Sequence, residues 1–133
     1  MIRILSRHML IGACAAAALV LPCAALADAH SEIVNAATHA GLAAGSADIA
    51  GVHTHLHHAL NCLVGPGGNG FDANEMNPCA QAGNGAIPDT PDAAKKAALE
   101  AAAAKARAGI ADADLAAARK TATDTAAMLK KDE

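Results

Sequence analysis

The sequence predicts an all-α protein, a four-helix bundle of two αα-hairpins joined by a Gly/Asn/Pro-rich loop that a disulfide clips in place. Three observations point there. Apolar residues recur at steps of three and four through two stretches in each half of the chain. Ala supplies 39 of the 133 residues against one Phe and no Trp or Tyr, so the core must come from small side chains on good helix formers. The stretch densest in Gly, Asn and Pro, residues 64–90, lies between the halves. A chain of 133 residues supports about one domain.

Residues 1–27 read as a secretory signal peptide. Arg3, Arg7 and His8 precede the apolar run Met9 to Leu21, and Pro22 and the small-x-small tripeptide Ala25-Leu26-Ala27 follow, so cleavage is expected after Ala27. The run is short for a membrane span, which needs about 20 apolar residues, and no membrane insertion is expected once the leader is removed. Leu10-Ile11-Gly12-Ala13-Cys14 offers a looser alternative, a lipoprotein box with Cys14 as the acylated residue. The apolar run continuing past Cys14 argues against it.

Residues 28–133 form the single helical domain. Helix 1 is predicted at about 29–44, from Ile33, Val34, Ala37, Ala40 and Ala44, with Asp28 or Ser31 as N-cap and Gly45-Ser46 as its break. Helix 2, about 47–63, has the clearest amphipathic pattern, in Ile49, Val52, Leu56, Ala59, Leu60 and Leu63. The loop 64–90 follows, with Phe71 and Met76 as its sizeable apolar anchors, ordered up to Cys79 and looser beyond. Thr90-Pro91-Asp92 opens helix 3, about 91–107, with Thr90 as N-cap, Pro91 at the first helical position and Gly109 as its stop. Asp112 or Asp114 caps helix 4, about 112–131, which turns Leu115, Ala118, Ala122, Ala126 and Leu129 inward and closes on Lys130 and Lys131. Ala40-Gly41-Leu42-Ala43 matches Ala108-Gly109-Ile110-Ala111, and the helices after them align, which suggests a repeated hairpin with its first turn near Gly41.

Cys14 and Cys23 leave with the leader, so Cys62 and Cys79 remain in an oxidising compartment, the periplasm or the exterior, and pair as one disulfide. Closing a loop of roughly 17 residues contributes about 3 kcal/mol in the chain-entropy model. From residue 28 on, thirteen acids face eight bases. Residues 28–94 hold seven acids and no Lys or Arg, a balance that disfavours nucleic acid as partner and suits cations.

Six His follow the leader, all in the first half: His30, His39, His53, His55, His57 and His58. On helix 2 they fall into two sets, His53 with His57 at i and i+4, and His55 with His58 at i and i+3. Neutral imidazoles so spaced can share one Cu²⁺, Zn²⁺ or Ni²⁺ ion when another element supplies a third ligand. We expect His53 and His57 to lead, with His39 or His30 completing the set and Glu32 or Asp48 able to add oxygen. The bland alternative is a solvated polar face.

Other chemistries are poorly served. Haem lacks both a C-x-x-C-H motif and aromatic walls. Asp72-Ala73-Asn74-Glu75 lacks the EF-hand spacing and reads as an ordinary turn. Gly67-Gly68-Asn69-Gly70 has neither a preceding strand nor a following Lys-Ser/Thr, as a phosphate loop requires. Ser31 and Ser46 have no base in a recognisable arrangement. Lys95, Lys96, Lys105 and Lys120 read as solvated helix faces.

The leader, the Ala-rich helical repeats and the steps Thr38-His39-Ala40 and His57-His58-Ala59 resemble the small His-bearing metal-binding bundle proteins of the bacterial periplasm. The likeness covers the first half of the chain. It implies an exported, non-enzymatic protein that binds a transition metal through His on helices 1 and 2. The chain departs from that pattern in carrying no His after residue 58 and in inserting the Cys-bracketed loop, which favours one or two sites over bulk sequestration. The alternative function is an interaction or structural module presenting the 64–90 loop to an envelope protein, without metal.

Overall fold

Asp28 accepts a hydrogen bond from the backbone N–H of Ser31 at 3.1 Å and starts the first helix of the computed structural model, which describes residues 27–133. The signal peptide expected at residues 1–27, with Cys14 and Cys23, lies outside the described residues except for Ala27. Among the described residues there are five helices and no strand: α1 (Ala29–Gly45), α2 (Ile49–Val64), the single turn α3 (Ala86–Asp89), α4 (Ala93–Ala111) and α5 (Leu115–Leu129).

Each long helix begins on an aspartate. Asp28, Asp48, Asp92 and Asp114 each accept from a backbone N–H three residues on, satisfying one of the donors a helix start leaves unpaired. This shifts three predicted starts, the last helix beginning at Leu115 and not near 112 because Asp114 caps it. Helix 2 begins at Ile49 because Asp48 caps it. The third long helix begins at Ala93 because Asp92, not Thr90, is its cap; Thr90 is buried and ends α3. Its end also moves. Gly109 stays inside α4, where a Cβ would lie 2.6 Å from Leu56 Cδ1 and 3.1 Å from Thr121 Cγ2, so the missing side chain admits α2 and α5 at close range and does not stop the helix. Gly41, likewise, is no turn: α1 runs through it to Gly45.

Packing follows the predicted stripes with two exceptions. α1 packs on α2 and α5, and α4 on the same two helices. Ile33, Leu56, Leu60, Leu63, Leu99 and Leu129 are fully buried, and Ala36, Ala40, Ala102, Ala106, Ala118 and Ala122 fill the contacts between helices. Small side chains there let backbones approach, which is how a core without aromatic bulk reaches native density. Val34, expected inside, is exposed, because the buried stripe of α1 runs through Ile33, Ala36, Ala37, Ala40 and Ala43. Met76, expected to anchor the loop, is 57% exposed.

The loop is held by polar groups instead. The buried side chain of Asn61 donates to the carbonyls of Asp72 at 2.9 Å and Met76 at 3.2 Å and accepts from the Asp72 N–H at 2.9 Å. Cys62 and Cys79 form the predicted disulfide, one residue along from that amide on α2. Phe71 packs against the core. The stretch after Cys79, expected to be loose, has its own fixed contacts: Ala82 accepts from Asp28 N–H, Glu32 on α1 accepts from Gly85 N–H at 2.8 Å, and α3 follows. Gly65 and Gly85, both at positive φ, meet backbone to backbone, and a Cβ on Gly65 would sit on the Asn84 carbonyl.

Candidate metal centre

Antiparallel helices joined by a short turn bring together residues equally far from it. His39 lies six residues before the end of α1 and His55 six after the start of α2. Their Nδ1 atoms accordingly stand 3.4 Å apart. His58, one helical turn beyond His55, joins them. Its ring is 5.1 Å from that of His39 and 5.6 Å from that of His55, centre to centre and edge-on to both. Each of the three offers a nitrogen within 4.8 Å of the others.

The surroundings favour neutral imidazoles. His58 is buried, and His39 and His55 are half-buried. Burial lowers the pKa of His39 below its ordinary 6.5, and the neighbouring His58 and His55 lower it further, because protonating one ring opposes protonating the next. Burial likewise lowers His58, partly opposed by the carboxylate of Glu75. Unprotonated nitrogens converging from two helices are what a cation of the zinc type requires.

The other predicted ligands go elsewhere. Nε2 of His53 donates to the Asp112 carbonyl oxygen at 2.8 Å, tying α2 to the turn between α4 and α5. His57 faces Asp72 of the loop, with 3.8 Å between Nδ1 and Oδ2. His30 is exposed in the first turn of α1, and none of these three belongs to the converging group. Glu32 and Asp48, considered as oxygen donors, are engaged with Gly85 N–H and Gly51 N–H. The two flanks of α2 thus have different employment: the i and i+4 pair serves packing and the loop, while the i and i+3 pair faces α1.

Glu75 was not singled out by spacing. The loop brings its Oε2 to 3.5 Å from His58 Nε2. In sequence it belongs to a turn, and as expected Asp72 there accepts from the Asn74 N–H at 2.9 Å in an ordinary Asx turn. The available signal was indirect, since a Cys62 to Cys79 bridge must return the intervening residues to the end of helix 2. Comparison with protein families, characterised proteins and solved structures found no match to this chain.

Proposed function

We propose that this protein is an exported, non-enzymatic binder of one transition-metal ion, held by His39, His55 and His58. The observation that carries the reading is the convergence of three imidazole nitrogens, from two helices, within 4.8 Å. Copper, zinc and nickel all accept imidazole nitrogen, and the Nδ1 atoms of His39 and His55 stand 3.4 Å apart. Three protein ligands leave a fourth position for water or for a group on another molecule. Export is supported by the leader-like residues 1–27 and by the disulfide; among the described residues no helix is long and apolar enough to cross a membrane.

Zn²⁺ titration of wild type, His39→Ala, His55→Ala and the double variant His53→Ala/His57→Ala tests the assignment. Wild type should bind one equivalent, and each single variant should lose affinity by more than the roughly 10- to 100-fold expected for a partner outside the ligand set. The double variant should bind as wild type does. If it alone loses the ion, the site is the other flank of α2.

A second reading, an envelope interaction module built on the loop, draws support from an open cleft of about 600 Å³ lined by Val64, Pro66, Ile87, Pro88, Glu100 and Arg107. Protein that neither carries nor acquires metal at neutral pH would favour it.

A further inference from the structure

Resting on the metal-binding reading, we propose that Glu75 is the positioning residue of the site: its carboxylate holds His58 as the Nε2–H tautomer and leaves the Nδ1 lone pair for the ion. A neutral imidazole carries one proton, and the group bonded to one nitrogen decides which nitrogen remains free. Nε2 of His58 lies 3.5 Å from Glu75 Oε2, the acceptor it faces. Nδ1 of the same ring is buried with no hydrogen-bond partner at all. A buried, unpartnered ring nitrogen costs free energy unless something fills it, and here it belongs to one of the three converging imidazoles. Outer carboxylates of this kind fix ring orientation and raise the basicity of the ligating nitrogen.

Glu75 itself is held from behind. Asn61 donates to the Asp72 and Met76 carbonyls on either side of it, and Cys62, one turn after His58, is bonded to Cys79. The loop therefore presents a carboxylate at a set place against α2, whereas the neighbouring His57 turns its other nitrogen, Nδ1, toward Asp72 at 3.8 Å, beyond hydrogen-bond range. Asn61, the bridge and Glu75 together give the Cys-bracketed insertion a purpose that a plain connection between hairpins would not need.

The test is Zn²⁺ affinity by competition with a chromophoric chelator for wild type, Glu75→Ala and Glu75→Gln, with long-range ¹H–¹⁵N spectra of the His58 ring in the metal-free proteins. Wild type should show the Nε2–H tautomer. Glu75→Ala should lose that preference and bind Zn²⁺ about 10- to 100-fold more weakly. Glu75→Gln, whose carbonyl still accepts from Nε2–H, should keep the tautomer and recover part of the affinity. A purely structural role would leave the tautomer unmoved. Wild type that binds Zn²⁺ with His58 in the Nδ1–H form, or a Glu75→Ala protein of unchanged affinity, overturns the positioning role while the metal site stands. Wild type that binds no Zn²⁺ overturns both.

Discussion

Glu32 makes the sharpest stability prediction, because its carboxyl is fully buried on α1. Oε1 accepts from Gly85 N–H at 2.8 Å, while Oε2 is buried without a partner. Burial raises its pKa from 4.5 to about 7, with the nearby charges of Asp89 and Asp28 pushing the same way against the Gly85 hydrogen bond. A carboxyl raised on folding supports the native state fully below pH 4.5, and that support is lost as pH rises through about 7. At 1.36 kcal/mol per pH unit, the loss reaches up to about 3 kcal/mol at pH 8 and above. Glu32→Gln keeps the carbonyl that serves Gly85, places an amide beside Asp89 and cannot ionise. The two proteins should match near pH 4.5, and the variant should be the more stable by up to about 3 kcal/mol at pH 8. Urea denaturation with a chelator present is the assay, since urea adds no screening salt. With a slope of about 1 to 3 kcal/mol/M, the midpoints should separate by roughly 1 M or more at the high end. Apart from Asp89 and Asp28, whose charges couple to Glu32, the other titrating groups are common to both proteins and cancel in the difference. Parallel curves from pH 4.5 to 8 would show that Glu32 is ionised in the fold at neutral pH, and the argument from burial would fail.

The remaining expectations concern the His cluster, the loop and α4. Zn²⁺ affinity measured from pH 8 to 5 should hold through 6.5 and fall below it, because His39 and His58 are lowered from that value; the metal-free fold should weaken over the same window, as neutral buried rings are forced to charge. A loss of binding centred above 6.5 would contradict this. Zn²⁺ at 100 times its dissociation constant should raise the melting temperature by about 10 °C or more in wild type and not in His39→Ala. Asn61→Ala should cost at least about 1 to 3 kcal/mol, since it strips partners from buried backbone groups of the loop, and hydrogen exchange confined to its old rate at residues 72–76 would count against it. Cys62→Ala/Cys79→Ala should be less stable by about 3 kcal/mol and also bind Zn²⁺ more weakly, whereas unchanged affinity would detach the bridge from the site. Gly109→Ala should cost about 1 to 3 kcal/mol by overpacking against Leu56, and a neutral result in the urea midpoint would mean α4 can shift.

What could be read from the sequence was whatever depends on neighbours along the chain. The helical stripe of α2, the break at Gly45-Ser46, the His-rich first half and the pairing of two Cys all rest on local spacing or on counting. The starts of α2 and α4 slipped by two residues and that of α5 by three because several capping residues stood close together, and only the helix directions decide which of Asp92 and Thr90 meets a free N–H. Around His39 the structure groups His55 and His58 and not His53 and His57, and spacing could not choose between the pairs for a deeper reason. Both pairs flank one apolar stripe, and spacing along α2 treats them as equivalents. They become different only when α1 lies on one side and the turn after α4 on the other, so that one flank meets His39 and the other meets Asp112. That is a property of how the hairpins sit together, which no single helix encodes. The same holds for Glu75, whose role exists only once the disulfide has folded its loop back on α2. A sharper reading of such a chain would ask, for each polar residue beside an apolar stripe, which element is equally far from the connecting turn. For the turn at Ser46 to Asp48 that rule pairs His39 with His55 directly, and it needs no knowledge of the second hairpin.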